Sequence, residues 1–200
     1  MLNRPPTSTV SDPVPQRGPI ANRTLLEAVS FAARAHRHQV RKDGQTPYAA
    51  HPFRVCLIIR HVFGIDDPEY LTAALLHDTI EDTTTDFDDI QEQFGSRVAG
   101  SVAALTKDMR MPEADREAAY TATLATADPG VKIAKLADIY DNLTDSRHLS
   151  PSGRQRTVER TRTYLVAIDS NLPPIARRPM ELVRQLLDEV ADGTSHGESP

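Results

Sequence analysis

Apolar side chains in this sequence recur every third or fourth position and nowhere alternate, so the pattern is helical from one end of the ordered chain to the other. Leu25, Val29, Ala32 and Ala33 follow Thr24-Leu25-Leu26-Glu27, which has capping-box spacing, and predict a first helix to about His38. Phe53, Val55, Leu57, Ile58, Ile59 and Val62 predict a second from about Ala49 to Phe63, with Pro52 tolerated in its first turn because the N–H it lacks would have no partner there. Asp67-Pro68 reads as cap and first position of a third, whose stripe of Tyr70, Ala73, Ala74, Leu75, Leu76 and Ile80 carries it through Asp82. Thr85 with Asp88 caps a fourth that Gly95 ends, and Ser96–Thr106 forms another. Pro112 opens a helix over Glu113–Ala127, and Pro129-Gly130 closes it. Val131–Asp145 places Ile133, Leu136, Ala137, Tyr140 and Leu143 on one side, Ser150-Pro151 begins a helix to about Ser170, and Arg178–Asp192 forms the last. The fold class is therefore all-α, a helical bundle with irregular connections.

Composition narrows this picture. Residues 1 to about 20, with Pro5, Pro6, Pro13, Pro15 and Pro19, bury too little apolar surface to order themselves and read as a flexible arm. Residues 193–200 read as a flexible tail, with Gly193 placed to stop a helix, which leaves 21–192 as one domain. The single Cys56 rules out an internal disulfide framework and fits a reducing compartment, so any metal must be held by His, Asp or Glu. No apolar block resembles a signal peptide or a membrane span, so the expectation is a soluble cytoplasmic protein without a membrane partner. A formal net charge of −5 argues against nonspecific nucleic-acid binding and leaves room for a local basic pocket that takes a small anion.

The chemistry concentrates in Leu75-Leu76-His77-Asp78-Thr79-Ile80-Glu81-Asp82, where one imidazole and three carboxylates follow an apolar run. Read as continuous helix, His77 and Glu81 share one face at i,i+4 and Asp78 and Asp82 the adjoining one. Three acids within two turns repel, so either a cation holds them or they are an acidic helix end facing water. His beside Asp is a mixed nitrogen and oxygen donor set, suited to Mn, Fe or Zn over Ca or Mg. His51 and Asp138 offer further ligand types on two other helices, and with His77 and Asp78 would make a His2Asp2 site with open positions for water and substrate.

These residues in this order resemble the HD-domain metal phosphohydrolases. Arg41-Lys42-Asp43-Gly44, then Pro47-Tyr48-Ala49-Ala50-His51-Pro52, then Ala74-Leu75-Leu76-His77-Asp78-Thr79-Ile80-Glu81-Asp82-Thr83, Phe94-Gly95 and Lys135-Leu136-Ala137-Asp138 with Asn142 narrow the resemblance to the hydrolase domain of the RelA/SpoT family, over about Thr24 to Asp169. It implies an HD-type alarmone hydrolase domain over 21–192, using Mn2+ to remove pyrophosphate from the 3′ position of guanosine tetra- or pentaphosphate (ppGpp, pppGpp). Carried over by position, His51, His77, Asp78 and Asp138 hold the metal, Glu81 and Asp82 act on the attacking water, and Asn142 positions water or substrate. Arg41, Lys42 and Tyr48 face the nucleotide, as two exposed cations at a loop start and the tyrosine beside them. Arg160 and Tyr164, one helical turn apart, resemble a further nucleotide-facing pair.

One departure concerns Met111-Pro112-Glu113, which puts an acid near where small alarmone hydrolases carry a phosphate-facing cation; Lys107 or Arg110 could compensate. No nucleotide-synthesising domain follows, so the resemblance is to the stand-alone small hydrolases. His36, His38, His61, His148 and His196 match no ligand position and read as structural or solvent-facing. Two other functions fit the same residues: an HD phosphatase on another nucleotide such as NADPH, and a nucleotide-binding regulator without turnover. The intact Glu81-Asp82 pair weighs against the second, since a binder has no need of an acid–base pair.

Overall fold

The computed structural model describes residues 19–195, with side-chain surroundings over 23–192. Among the described residues ten α-helices succeed one another: α1 Pro19–Ala35, α2 Ala50–Leu57, α3 Pro68–Leu76, α4 Thr79–Asp82, α5 Phe87–Phe94, α6 Ser96–Leu105, α7 Glu113–Thr126, α8 Pro129–Thr144, α9 Pro151–Asp169 and α10 Arg177–Ser195. The described residues contain no strand, only an isolated bridge between Val40 and Pro47 that pins the loop between α1 and α2. None of their helices is long and apolar enough to cross a membrane.

Two helices form the middle of the bundle. In α3, Leu71, Leu75 and Leu76 are shielded from solvent, and in α8 so are Ile133, Leu136, Ala137 and Leu143. Each such large aliphatic side chain contributes about 1.5–3 kcal/mol by leaving water. Helix α3 packs against α1, α2, α6 and α8, while α8 packs against α2, α3, α6 and α10. The start of α8 approaches α3 so closely that a Cβ on Gly130 would lie 2.6 Å from the Tyr70 ring, which only glycine permits. Lys132, two residues further on, is wholly buried and donates to the carbonyls of Ala125, Ile168 and Asn171 at 3.1, 3.1 and 2.8 Å. Its ammonium thus satisfies orphan carbonyls at the C-terminal ends of both α7 and α9.

Several boundaries differ from the sequence pattern. Helix α1 begins at Pro19, upstream of the Thr24 cap, and α10 runs through Gly193 to Ser195, so α1 takes in the end of the expected arm and α10 the start of the expected tail. Residues 1–18 and 196–200 of that arm and tail, with His196, lie outside the described residues. Helix α5 is capped by Asp86, whose carboxylate accepts from Asp89 N–H in a reciprocal box, where the sequence pointed to Thr85. The second helix continues as a π turn over Ile58–Val62, closed by Phe63 N–H on the Ile58 carbonyl at 2.9 Å. The octet is not one helix: α3 ends at Leu76 and α4 starts at Thr79, so the i,i+4 faces assigned to it do not exist.

Candidate active site

The break between α3 and α4 is what allows two neighbouring residues to serve one site. On an unbroken helix, side chains at successive positions diverge by about 100°. Asp78 instead adopts φ −98° and ψ −4°, between the two helices, and turns its carboxylate back to the His77 imidazole. Its Oδ1 lies 3.0 Å from His77 Nε2, and its Oδ2 lies 3.3 Å from Nε2 of His51, which projects from the first turn of α2. Asp138, from the middle of α8, brings Oδ1 to 3.2 Å from His51 Nε2 and 3.8 Å from His77 Nε2. Ligand atoms of His51, His77 and Asp138 lie within 4.8 Å of one another, with Asp78 against both imidazoles.

Both imidazoles are held with the same nitrogen inward. His51 Nδ1 donates to Asp141 Oδ2 at 2.6 Å and His77 Nδ1 to the Ala74 carbonyl at 2.8 Å, which leaves each Nε2 with a lone pair facing the carboxylates. His77 Nε2 is buried without a hydrogen-bond partner. Burial opposes a charged imidazole at both positions, yet the surrounding carboxylates overcome it. They push His77 up to about 9 and His51 well above its ordinary value. Burial likewise opposes ionised Asp78 and Asp138, and the imidazoles, with Lys135 beside Asp138, overcome that in turn. The cluster thus demands positive charge in its centre, and two inward lone pairs with two hard carboxylates fit a divalent metal.

A further layer fixes these donors. Arg54 forks onto Asp141 at 2.6 and 3.0 Å, so the carboxylate that orients His51 is itself held. Asp138 accepts from Lys135 Nζ at 2.8 Å on one oxygen and from Asn142 Nδ2 at 2.6 Å on the other. Arg41 is buried, contrary to its expected exposure, because its guanidinium donates to Asp145 Oδ2 at 2.9 and 3.2 Å and to Asn142 Oδ1 at 3.3 Å. Lys42 keeps the exposed place at the loop. Asp141 belongs to none of the motifs read from the sequence, although it lies one turn after Asp138 on the same face of α8, the position from which a carboxylate reaches a neighbouring ligand.

Glu81 and Asp82, on α4, stand beside this centre. Glu81 Oε2 accepts from the Lys107 backbone N–H at 2.8 Å, and Asp82 Oδ2 accepts from the Tyr48 hydroxyl at 3.1 Å. The same hydroxyl lies 2.6 Å from Asp78 Oδ2, so Tyr48 spans a metal-type donor and an acid rather than merely lining the pocket. Burial raises both carboxyls above their ordinary values, and the nearby Asp78 charge adds to it. Raised carboxyls hold and release protons nearer neutrality, as acid–base groups must. His36 is buried, stacked on Tyr48 with ring centroids 4.7 Å apart, and its Nδ1 lies 2.7 Å from Gln39 Oε1. Gln39 in turn donates to the Asp82 carbonyl at 2.6 Å.

A cavity of about 310 Å³ opens onto the centre, and every residue given a metal, catalytic or nucleotide role from the sequence lines it: Arg41, Lys42, Tyr48, His51, His77, Asp78, Glu81, Asp82, Asp138, Asn142, Arg160 and Tyr164. Lys107, Tyr120, Lys135, Thr157 and Thr161 also line it. Of the two cations that could stand in near Glu113, Lys107 enters the cavity, whereas Arg110 is exposed and folded onto Asp108 at 2.7 Å.

Known proteins resemble this chain in sequence and in fold. The HD domain family model matches residues 28–168. The guanosine-3′,5′-bis(diphosphate) 3′-pyrophosphohydrolase MESH1 of Mus musculus is 38% identical over 167 residues, 82% of this chain and 93% of that protein. The protein of the same name from Homo sapiens is 45% identical over 130 residues, 64% of this chain and 73% of its own length. A solved structure, described as a metazoan orthologue of SpoT that hydrolyses ppGpp, superposes with a TM-score of 0.73 at 30% identity, covering 85% of this chain and 94% of that one.

Proposed function

The chain belongs to the HD-domain family, and from that premise we propose that it hydrolyses the 3′-pyrophosphoryl group of guanosine tetra- and pentaphosphate, releasing GDP or GTP and inorganic pyrophosphate. The observation that carries this reading is the convergence of a four-donor His and Asp centre, an adjacent acid pair and the rim residues Lys42 and Arg160 on one cavity. The relatives described as acting on this nucleotide supply the substrate. His51, His77, Asp78 and Asp138 would hold the divalent ion, and of the Mn, Fe and Zn that such mixed donors suit we assign it as Mn2+ because the resemblance to the RelA/SpoT hydrolases implies that ion. When bound, such an ion supplies Lewis acidity at phosphoryl oxygens and acidifies water in its coordination sphere.

The protein groups supply the remainder. Glu81 or Asp82 accepts a proton from the attacking water as its oxygen bonds to the phosphorus next to the ribose. The bond from that phosphorus to the 3′ oxygen breaks, and the proton passes to that oxygen as the nucleoside diphosphate or triphosphate leaves. Tyr48 keeps Asp82 and Asp78 in fixed relation, and Asn142 orients water or a phosphoryl oxygen beside Asp138. Lys42, Arg160 and Tyr164 face the nucleotide, with Arg41 behind them holding Asn142. We place the activity in the cytoplasm, in keeping with the unpaired Cys56.

The test is release of pyrophosphate and phosphate from guanosine tetraphosphate, ATP, GTP and NADPH with added Mn2+, by wild type, Glu81→Gln and Asp82→Asn. Wild type is expected to release pyrophosphate from the tetraphosphate in preference to the others. Each amide variant is expected to retain metal and nucleotide while losing most turnover, about 10²-fold or more. Preference for NADPH, or loss of metal from either variant, would overturn the substrate or the role respectively.

A further inference from the structure

Neither His36 nor Gln39 takes part in the chemistry above, yet both stand directly behind the acid pair. His36, just past the end of α1, is 1% exposed, and its ring lies against that of Tyr48 with centroids 4.7 Å apart and planes inclined by 31°. Gln39 reaches across 43 residues of sequence to donate from Nε2 to the Asp82 carbonyl at 2.6 Å. That leaves Gln39 Oε1 as the atom facing His36 Nδ1 at 2.7 Å, and an amide oxygen only accepts, so Nδ1 carries the proton. The Gln39 carbonyl also accepts from Tyr48 N–H at 2.9 Å, so one residue is tied both to Tyr48 and to the end of α4. His36 Nε2 is buried with no hydrogen-bond partner among the described residues. A phenyl ring would stack on Tyr48 without that orphaned nitrogen. What the imidazole adds, at a cost in stability, is the Nδ1–H to Gln39.

What these contacts hold is a weak element. Helix α4 is the four residues Thr79–Asp82, a single turn too short to persist on its own backbone hydrogen bonds. Asp82 ends it, and Thr83 is already extended. The Tyr48 hydroxyl holds the Asp82 carboxylate at 3.1 Å, which fixes the tip of the side chain, and Gln39 holds the main chain beneath it. We propose that His36 and Gln39 are positioning residues for the acid pair: His36 orients the Gln39 amide and backs the Tyr48 ring, and Gln39 anchors the Asp82 main chain, so that the Asp82 carboxylate meets the attacking water. A displacement of about 1 Å at such a group is enough to cost about 10²-fold in rate. The role rests on the hydrolysis proposed above, with Asp82 as one of its acids.

Gln39→Met keeps the length of a half-buried side chain and removes both amide contacts. In steady-state kinetics of the Mn2+-loaded full-length protein with guanosine tetraphosphate, it is expected to lower kcat about tenfold or more while KM and Mn2+ affinity change less than about twofold. Added to Asp82→Asn it is expected to cost less than about threefold further, because the group it positions is already gone. An equal loss on both backgrounds, a loss carried by KM, or no loss overturns the proposal. Full turnover by Asp82→Asn overturns it too and leaves hydrolysis standing. His36→Asn, which returns an N–H near the place of Nδ1, is expected to turn over faster than His36→Ala, and equal rates would remove His36 from the arrangement. If the His36 variants fail to fold, the Gln39 comparison decides alone. Hydrogen exchange reads the same tie without turnover. The Asp82 and Thr83 amides, bonded to the carbonyls of Asp78 and Thr79 at 2.9 and 3.2 Å, should exchange roughly threefold to tenfold faster in Gln39→Met, with α3 unchanged. A wild type that ignores guanosine tetraphosphate yet shows this exchange difference loses its substrate and keeps the anchor. Normal turnover with exchange unchanged keeps the substrate and loses the anchor.

Discussion

Asp141→Asn tests whether the metal donors depend on the layer behind them. The carboxylate accepts His51 Nδ1–H at 2.6 Å and is forked by Arg54 at 2.6 and 3.0 Å, with Arg41 3.6 Å away. Burial works against its charge, and His51 with Arg54 more than offsets that, so the group lies below the ordinary carboxylate range. An amide keeps the volume and one acceptor for His51 but lowers the basicity of Nε2 and loses the charge opposite two guanidiniums. Losing such a partner behind a ligating histidine costs about 10- to 100-fold in metal affinity, or roughly 1.4–2.7 kcal/mol. Stability should fall by about 1–2 kcal/mol, since Arg54 is partly exposed and its pairing is screened. That contribution is present above the ordinary carboxylate range and disappears as pH falls through the depressed folded value. Wild type and variant should therefore differ at pH 7 and converge in acid. Calorimetric titration of the metal-free protein with Mn2+, and thermal melts from pH 7 downward, read both quantities. Unchanged Mn2+ affinity, with the melting temperature lowered, would show that Asp141 braces the bundle without setting the imidazole, and would refute the reasoning.

Lys132→Met should be among the most destabilising single changes, because it strands three carbonyls at the ends of α7 and α9. We expect a loss of about 3–5 kcal/mol in urea unfolding, and a loss below about 1 kcal/mol would mean water replaces the ammonium without cost. Arg41→Ala should lower thermal stability and kcat/KM together, since the guanidinium holds Asp145 and Asn142; a raised KM at unchanged melting temperature would instead put it on the nucleotide. Burial pushes the Cys56 thiol up to about 11, so at pH 8 only about one thiol in a thousand is thiolate. Iodoacetamide should label the native protein slowly there and about tenfold faster per added pH unit, and a rate at pH 8 matching a free thiol would contradict this burial.

What the sequence discloses, and what it hides, divides along the range of the interactions. Helices α3, α7, α8 and α9 announce themselves because their start signals are local: Asp67-Pro68, Pro112, Pro129 and Ser150-Pro151 each act through their own backbone. The His77 and Asp78 pair is legible as chemistry but not as geometry, because nothing in Leu76-His77-Asp78-Thr79 forbids helix. The turn there coincides with contacts from elsewhere in the chain, the Tyr48 hydroxyl on Asp78 and the Asp138 carboxylate near His77. Arg41 shows the same limit from the other side. An Arg-Lys pair before a glycine and a proline reads as exposed, and Lys42 is; Arg41 is buried because Asn142 and Asp145 receive it from a helix about a hundred residues away. Asp141 carries a findable signal in its spacing from Asp138, but its value to the site lies in Nδ1 of His51, on another helix.

The break at residues 77–78 also shows why the bundle and its site are difficult to separate energetically. A continuous helix would point Asp78 about 100° away from His77, out of reach of the same ion. Ending α3 at Leu76 leaves helix carbonyls without their usual partners, and the site's own neighbours take them up. His77 Nδ1 occupies the Ala74 carbonyl at 2.8 Å, and the Thr79 hydroxyl occupies that of Leu76 at 2.7 Å. The hydrogen bond that turns His77 Nε2 toward the metal position is thus the same one that caps the helix before it. A residue replacing His77 must supply a donor to Ala74 as well as a ligand, so Asn, which can give the former but has no imidazole, should preserve more of the fold than Ala while restoring none of the metal affinity. Equal melting temperatures for His77→Asn and His77→Ala would show that the cap contributes nothing and that the turn is held wholly by Tyr48 and α8.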